Sequence, residues 1–442
     1  MPKKETTAPD IPAASWPVFT LMAGVFFFIT IVKISSPVII DRSIEAPQDL
    51  ASAIDFPWPP RWGVMLFVPV ALAGLFTMEW KPVKFRWVLA LPLIWLVWEF
   101  ISATNTLSPA LTKLTLMHFA ICAGLFYLGF FSRKGMSNPW PLWAGIGLAL
   151  CWAMRSAMEQ HFGGLEATRK MFLESPDLLG VDPRMRADPD YWKRLNDNRI
   201  FGTFCNPNTL AGGLELFLPL TLVFIWRLTP KVRNSIRVLF VLILGGCGLA
   251  CLYWSRSKAG WLVALASGLI ALGHSALPLK WRRWVIYGVL LVGMAGFAFK
   301  YADYFHKERN SLGARFAYWR AALLVIDHHP LMGTGPGTFQ IPYAKLKRPD
   351  DEFTRLCHND YLEQGTDSGI PGLIIYSWMV LTFLIVLYRY STSKAPINWL
   401  NFTVWLGILG LCLHSLVDFH LYVASLAWPM FFLCGWLMSH KH

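Results

Sequence analysis

Twelve apolar stretches divide this sequence, and each has about the length needed to cross a membrane as a helix, roughly 20 residues. The composition agrees, because 55% hydrophobic residues and a mean hydropathy of +0.42 over 442 residues are too apolar for a soluble protein of this size. We therefore predict an all-α polytopic membrane protein with about 12 transmembrane helices. The predicted spans are 16–34, 62–78, 85–104, 114–131, 140–158, 208–226, 236–254, 259–276, 284–299, 369–388, 399–416 and 422–438.

The positions of the basic residues predict the orientation of these spans. Short loops on one side contain 17 Lys and Arg residues, and short loops on the other side contain only Arg42, Arg61, Lys113, Arg256 and Lys258. By the positive-inside rule the first side is cytoplasmic, and both termini lie there. The first apolar run has no small-residue cleavage pattern and is interpreted as a retained span. The formal net charge of +13 then reflects topology, which removes the reason to expect nucleic-acid binding.

Two long segments lie on the outer side and divide the chain into five parts. These are spans one to five (1–158), a loop (159–207), spans six to nine (208–299), a larger loop (300–368) and spans ten to twelve (369–442). The first loop is expected to hold surface helices interrupted at Pro176, Pro183 and Pro189. The larger loop contains a predicted amphipathic helix over 311–326 and then a glycine turn at 333–337, which lacks dinucleotide-binding spacing.

A polar, titratable run at 357–369 leads into the tenth predicted span. If the run is helical, His358 and Tyr361 share one face, while Asp360, Glu363 and Asp367 form a second stripe. A histidine oriented by a carboxylate is suited to proton transfer near neutral pH. The alternative is that His358 is an interfacial cap at the head of a membrane helix.

Two outward-facing motifs carry cations. Arg256 and Lys258 lie in the tight connection between spans seven and eight, where their charges are costly unless they bind a partner such as a phosphate or pyrophosphate group. Ordinary lipid phosphates are the alternative ligand. Arg199 precedes the sixth span, and Asn206 and Asn208 at the mouth of that span are either site residues or helix caps.

The amphipathic helix and the last outer connection supply further candidates. Arg315 and Trp319 share a face of the helix, where Trp319 is a sugar-stacking residue or an interfacial anchor. Asp418 lies between His414 and His420, in a connection predicted to be on the same outer side as His358. These three residues either support His358 or only close the loop. Glu215 within the sixth span must face protein or water.

The eight cysteines do not indicate a metal site, because no CxxC pair occurs and six of them lie in apolar runs. Cys205 and Cys357 lie in polar segments. They form a disulfide if the outer side is oxidising, or remain free thiols.

Several of these motifs occur in an order that resembles the O-antigen ligase and O-antigen polymerase superfamily of bacterial inner-membrane glycosyltransferases. The resemblance covers about 199–420 and rests on 202–212, 255–260, 317–322 with 329–339, and 358–362 with 369–372. It implies a GT-C-like fold with a large periplasmic loop between spans nine and ten. It also implies glycan transfer from undecaprenyl pyrophosphate to an acceptor hydroxyl, with inversion, no metal and no cofactor.

The resemblance implies roles for single residues. His358 matches the position of the family's essential histidine, and Arg256 and Arg199 match arginines that hold the donor pyrophosphate in that family. Asp367 stands where the family has Glu, so either Asp367 or Glu363 is expected to support His358. Lys258 and Arg315 are further donor-binding candidates. The supporting candidates are Asn206, Asn208, Ser257, Trp319, Asn359, Tyr361 and Asp418.

The expected partners are a lipid-linked glycan donor, a lipid A-core or growing polysaccharide acceptor, and membrane lipids. Ligation to lipid A-core is favoured. The alternatives are a polysaccharide polymerase, a protein O-oligosaccharyltransferase and a secondary transporter. The transporter is less favoured because the two halves lack a matching pair of broken segments.

Overall fold

The computed structural model describes residues 18–79, 86–132, 134–174, 196–228, 232–305, 311–393 and 396–439. The described part of the chain is helical, with one isolated β-bridge between Pro37 and Val423. Its α-helices are α1 Val18–Lys33, α2 Leu50–Asp55, α3 Pro60–Leu75, α4 Leu91–Ser102, α5 Pro109–Phe131, α6 Trp140–Glu159, α7 Leu165–Glu174, α8 Pro207–Leu228, α9 Asn234–Ser255, α10 Lys258–Gly273, α11 Leu279–Phe305, α12 Ser311–His328, α13 Gln340–Leu346, α14 Asp360–Thr392, α15 Trp399–His414 and α16 Ala424–Met438. Short 3-10 turns occur at Val38–Ser43, Arg86–Ala90, Ala103–Asn105, Lys134–Met136 and His420–Tyr422, and a π-turn occurs at Gln160–Gly164.

Each of the twelve predicted spans falls on one of these helices. Five helical stretches within the described ranges are long and apolar enough to cross a membrane: Arg86–Asn105, Pro109–Phe131, Pro207–Arg227, Asn234–Ser255 and Asp360–Thr392. Five shorter apolar helices accompany them, namely α1, α3, α10, α15 and α16. The chain is therefore a helical membrane protein, and the total of twelve spans and their orientation stay predictions. The proposed surface helices around Pro176, Pro183 and Pro189 lie outside the described residues.

The helices pack around α16, which is buried along its whole length. It lies against α5 most extensively and also contacts α1, α14 and α15. By contrast, only 17% of the most apolar stretch of α9 is buried by other parts of the protein. Its outward side chains, such as Leu242 at 65% exposure, need an apolar surrounding, which lipid supplies.

The glycine turn is confirmed, with positive φ at Gly333, Gly335 and Gly337, and the predicted helix is present as α12. The amphipathic character predicted for α12 is not confirmed, since Phe316 and Leu323 are exposed on it. The turn packs into a break in α14, where Ser368 and Gly369 leave the helical conformation. Amide groups of the turn satisfy carbonyls freed by the break, with Thr334 N donating to Thr366 O at 2.8 Å and Gly335 N to Asp367 O at 3.0 Å. We call this arrangement the turn–break interlock (residues 330–337 with 366–370). It fixes the outer loop to a membrane helix.

The helix α4 completes the interlock from the other side. Ser102 Oγ lies 2.7 Å from Asp367 O and 2.6 Å from Met332 O, and Trp98 Nε1 donates to Ser368 O at 2.8 Å. Unpaired carbonyl groups are costly inside a membrane protein. These contacts pair the carbonyl groups at the break and so explain how the break in α14 is tolerated.

Candidate active site

His358 lies immediately before α14, not within it. The helix begins at Asp360 with Asn359 as its N-cap, and His358 has φ 55°, in the left-handed region that non-glycine residues rarely occupy. The expected helical face joining His358 to Tyr361 is therefore wrong. The position of the imidazole is instead fixed by the backbone turn and by tertiary contacts.

Aromatic side chains from two other elements hold the His358 ring. Tyr318 of α12 stacks on it with ring centroids 5.6 Å apart, and Phe419 meets it edge to face at 4.7 Å. Trp319 of α12 contacts the same residue from its backbone side, with Nε1 3.4 Å from His358 O. The side chain nevertheless keeps 25% of its surface exposed, so a substrate hydroxyl can reach it.

The carboxylate beside His358 is Asp418. Its Oδ1 lies 3.4 Å from His358 Nδ1, and its Oδ2 lies 3.8 Å from Arg315 Nη2. Burial opposes ionisation of Asp418, but the adjacent imidazole of His358 and the charge of Arg315 outweigh it and hold the pKa of Asp418 well below its usual range. An ionised carboxylate facing Nδ1 favours the tautomer with the proton on that nitrogen, which leaves the Nε2 lone pair free to accept a proton.

Asp367 and Glu363, which the sequence suggested as partners of His358, have other contacts. Asp367 Oδ2 accepts a hydrogen bond from Tyr422 at 2.5 Å, and Glu363 Oε2 accepts one from the backbone of Cys357 at 2.5 Å. Both carboxyl groups are fully buried. The expectation that one of them is the carboxylate beside His358 is therefore corrected in favour of Asp418.

Three of the predicted donor-binding cations are grouped, and one of them, Arg315, lies beside Asp418. Arg199 and Arg315 lie within electrostatic range of Lys258, although they belong to different parts of the chain. Arg199 is also held by Asp197, at 2.7 Å between Nη2 and Oδ2. Arg256 ends α9 in the left-handed conformation and lines a cavity described below. The cluster of Arg199, Lys258 and Arg315 concentrates positive charge, and it meets the His358–Asp418 pair through Arg315.

Residues 239–377 match the family model described as O-antigen ligase. This part of the chain is therefore similar to an O-antigen ligase domain. The resemblance inferred from the motifs is thereby confirmed, and it indicates an O-antigen ligase or a related glycosyltransferase. The matched region includes Arg256, Lys258, Arg315 and His358, whereas Asp418 lies beyond it. No curated protein sequence matches the chain.

Several supporting candidates in and around the O-antigen ligase region are helix caps. Asn206 Oδ1 accepts hydrogen bonds from Asn208 N and Thr209 N, both at 2.9 Å, at the start of α8. Ser257 caps α10 by accepting from Gly260 N at 3.2 Å, and Asn359 caps α14. Each such cap contributes about 1 kcal/mol to stability and places the loop before its helix.

Other supporting residues and the cysteines have structural contacts. The Tyr361 hydroxyl donates to Cys412 O at 3.1 Å, which ties α14 to α15. All eight cysteines are free thiols, so Cys205 and Cys357 do not form the disulfide that was considered.

One side-chain group in the described ranges has the geometry to hold a metal ion. The ligand atoms of His414, Asp418 and His420 all lie within 4.8 Å of one another. These residues have protein contacts already, since His414 Nδ1 lies 3.1 Å from both carboxylate oxygens of Glu215, and Asp418 faces His358 and Arg315. A guanidinium 3.8 Å from the proposed ligand disfavours a divalent cation, so we assign Asp418 to His358.

Sequence reasoning missed the ring contacts of His358 and a pair of aromatic residues near Arg256. Tyr318 lies within the motif at 317–322, and Phe419 lies beside Asp418. Their position next to candidate site residues was therefore a signal that they could lie at the site. Stacking of His161 on Trp254 had no such signal, because it joins two segments far apart in the chain.

Acidification is expected to destabilise the folded protein through His420, in the connection between α15 and α16. Burial, assisted by the nearby His414, lowers the pKa of His420 from 6.5 to about 3. Below pH 6.5 the unfolded chain binds a proton that the folded protein does not, so the contribution of this group to the free energy of unfolding falls by about 1.4 kcal/mol per pH unit until pH approaches 3.

Thermal unfolding measured in detergent between pH 7 and pH 4 would check this effect, and the midpoint should fall less steeply in His420→Asn than in the parent. The matched control is His328→Asn, because His328 is exposed. Equal slopes for the parent and His420→Asn would contradict the assignment.

Proposed function

We propose that this chain is an O-antigen ligase: a membrane glycosyltransferase that moves a glycan from undecaprenyl pyrophosphate to a sugar hydroxyl of lipid A-core. The observation that carries the proposal is the geometry at His358. Its Nδ1 faces the buried Asp418 at 3.4 Å, and Arg315 lies 3.8 Å from the same carboxylate. Lys258 lies within electrostatic range of Arg315 and Arg199, which extends the positive charge away from this pair. The family match over 239–377 supports the same class of reaction.

In the proposed mechanism His358 is the general base. Its Nε2 takes the proton of the acceptor hydroxyl as the oxygen attacks the anomeric carbon of the donor. The bond from that carbon to the pyrophosphate oxygen breaks on the opposite face, which inverts the configuration. The pyrophosphate leaves with its electron pair and its negative charge, and Asp418 stabilises the imidazolium formed in the same step.

The cations act on the leaving group. A glycosyl pyrophosphate is already activated, so the main demand on the protein is to bind charge that increases on the pyrophosphate oxygens. Guanidinium groups suit this task because they bind phosphate in a two-point fork, and Lys258 adds a point charge. This mechanism neutralises the leaving group with side chains and includes no metal ion or cofactor.

We further propose that the reaction takes place on the periplasmic face of a bacterial inner membrane. The distribution of Lys and Arg over the short loops supports this orientation, with both termini in the cytoplasm and both long segments outside. A lipid-linked donor is consistent with it, since nucleotide sugars are not available on that face and a lipid carrier can enter between helices.

An in vitro transfer assay tests the proposal. Purified protein is mixed with an undecaprenyl-pyrophosphate glycan and lipid A-core, with and without EDTA, and the products are separated by gel electrophoresis and mass spectrometry. Glycosylated lipid A-core formed in the presence of EDTA is the expected result. Lengthening of the donor glycan with unmodified lipid A-core would replace ligation with polymerisation. No consumption of the donor with any acceptor would overturn the proposal and favour transport.

Replacing Arg256 is expected to weaken donor use in this assay. Arg256→Ala should raise the KM for the lipid-linked donor by about 10- to 100-fold, because a charge-assisted bond to pyrophosphate is worth about 1.5–3 kcal/mol. Arg256→Lys should recover only part of the loss, since an ammonium does not reproduce the two-point contact. The control is Arg348→Ala, in an exposed part of the outer loop. A donor KM that stays at the parent value in Arg256→Ala would remove this residue from the donor site.

A further inference from the structure

A cavity of about 650 Å³ opens at the outer ends of α6 and α9. Two of its lining residues are next to the cation cluster in the sequence, since Asn198 precedes Arg199 and Arg256 is two residues before Lys258. The cavity therefore adjoins the part of the protein that we assign to the reacting groups. The mechanism above leaves most of its lining without a role.

One wall of the cavity is an aromatic pair. His161 and Trp254 stack with ring centroids 3.9 Å apart and planes 13° from parallel, and Phe162 packs edge to face against both rings. His161 follows the end of α6, at a kink where Phe162 and Gly163 leave the helical conformation and Gly163 takes φ 120°. The stacked pair therefore joins the kink after α6 to the end of α9.

The rim of the same cavity is polar and ordered. Arg169 joins two rim residues, with Nη1 2.6 Å from Glu166 Oε2 and Nη2 2.8 Å from Asn198 Oδ1. Gln160 anchors the adjacent backbone by accepting from the amides of Phe201 and Gly202 at 2.9 and 2.8 Å. An aromatic wall with a few positioned polar groups is the usual composition of a small-ligand site.

We propose that this cavity binds a sugar residue of one of the two glycans in the reaction, with the C–H face of the pyranose on the His161–Trp254 pair. The sugar hydroxyls bond to Glu166 and Asn198 at the rim. A pyranose has an apolar face and a polar edge, which matches this division of the cavity. The inference rests on the proposed function, because that function supplies a saccharide on this side of the membrane. Donor and acceptor glycans share this chemistry.

Kinetics with each substrate varied in turn distinguish the two sources. Trp254→Ala and His161→Ala should raise the KM of either the lipid-linked donor or lipid A-core by about tenfold while kcat stays near the parent value. Trp254→Phe, which retains an aromatic face, should recover most of the loss. The matched controls are Trp152→Ala, a tryptophan exposed on α6, and His328→Ala. Unchanged KM values for both substrates in Trp254→Ala and His161→Ala would overturn the inference.

A binding measurement separates this inference from the proposed reaction. Radiolabelled oligosaccharides released from the donor glycan and from lipid A-core are each dialysed to equilibrium against the purified protein. We expect saturable binding of one of them to the parent and to His358→Ala, and weaker binding to Trp254→Ala. No saturable binding of either oligosaccharide to the parent, or equal binding to Trp254→Ala, overturns the sugar site even if transfer occurs. Binding without any transfer supports the sugar site and counts against the ligase proposal.

Discussion

His358→Ala is expected to lower kcat for glycan transfer by about 10²- to 10⁴-fold, the range that a positioned general base contributes. The imidazole is held between Tyr318 and Phe419, and its Nδ1 faces Asp418, so the variant removes the one group placed to take the acceptor proton. Binding of the donor should change little, since the cations that hold it are untouched. Single-turnover transfer with saturating donor and lipid A-core would measure the chemical step.

Two variants separate lost chemistry from lost folding. His358→Asn keeps a side chain that tolerates the left-handed backbone better than alanine does, so it should fold normally and still be inactive. His328→Ala, at an exposed histidine of the same outer loop, should retain the parent rate. Parent-like kcat in His358→Asn would assign the base to another residue and reduce His358 to a cap of the helix that follows it.

Gly333→Ala is expected to destabilise the protein by about 3 kcal/mol or more. Gly333 has φ 62°, and a Cβ atom there would lie 2.5 Å from the carbonyl carbon and oxygen of Asp367 and 2.5 Å from Thr366 O. These are backbone atoms of α14, which cannot move aside as the end of a flexible side chain can. The turn–break interlock would therefore open, and the yield of monodisperse protein in detergent and the midpoint of thermal unfolding should both fall.

The matched control for that substitution is Gly268→Ala. Gly268 lies inside α10, and no atom comes within 4 Å of the Cβ that would be added. It should keep the parent yield and midpoint. If Gly333→Ala were as stable as Gly268→Ala, the close packing of the turn against the break in α14 would be refuted.

The features that the sequence predicted well are those determined by local pattern. Apolar length located a helix at each predicted span. The spacing of Arg315 and Trp319 predicted that they share a face of α12, and the structure places these two residues beside Asp418 and His358. The glycine turn at 333–337 was also visible, because glycine supplies positive φ at low cost. None of these inferences requires knowledge of which helices are neighbours.

The partner of His358 was not predictable in that way. The family resemblance pointed to Asp367 or Glu363, and helical periodicity placed both on one stripe. Periodicity applies only within a helix, however, and His358 precedes the N-cap Asn359. Asp418 is brought to the imidazole by the packing of the α15–α16 connection against the start of α14, where Leu421 N bonds Asp360 Oδ2 at 2.9 Å. The sequence predicted that Asp418 lies on the same side as His358, but it gave no reason to choose Asp418 over Glu363 and Asp367, which are closer to His358 in sequence.

The central position of α16 has a consequence for biogenesis. A ribosome synthesises Ala424–Met438 after every other described helix, yet this segment fills the middle of the bundle and touches α1 and α5 from the beginning of the chain. Until α16 is inserted, the inner faces of the earlier helices must therefore contact lipid or an insertion factor. Insertion of α16 then replaces those contacts. The bundle is therefore completed only after α16 has been inserted, and a ribosome stalled before residue 424 would leave a membrane intermediate without its central helix, which quality-control proteases could recognise.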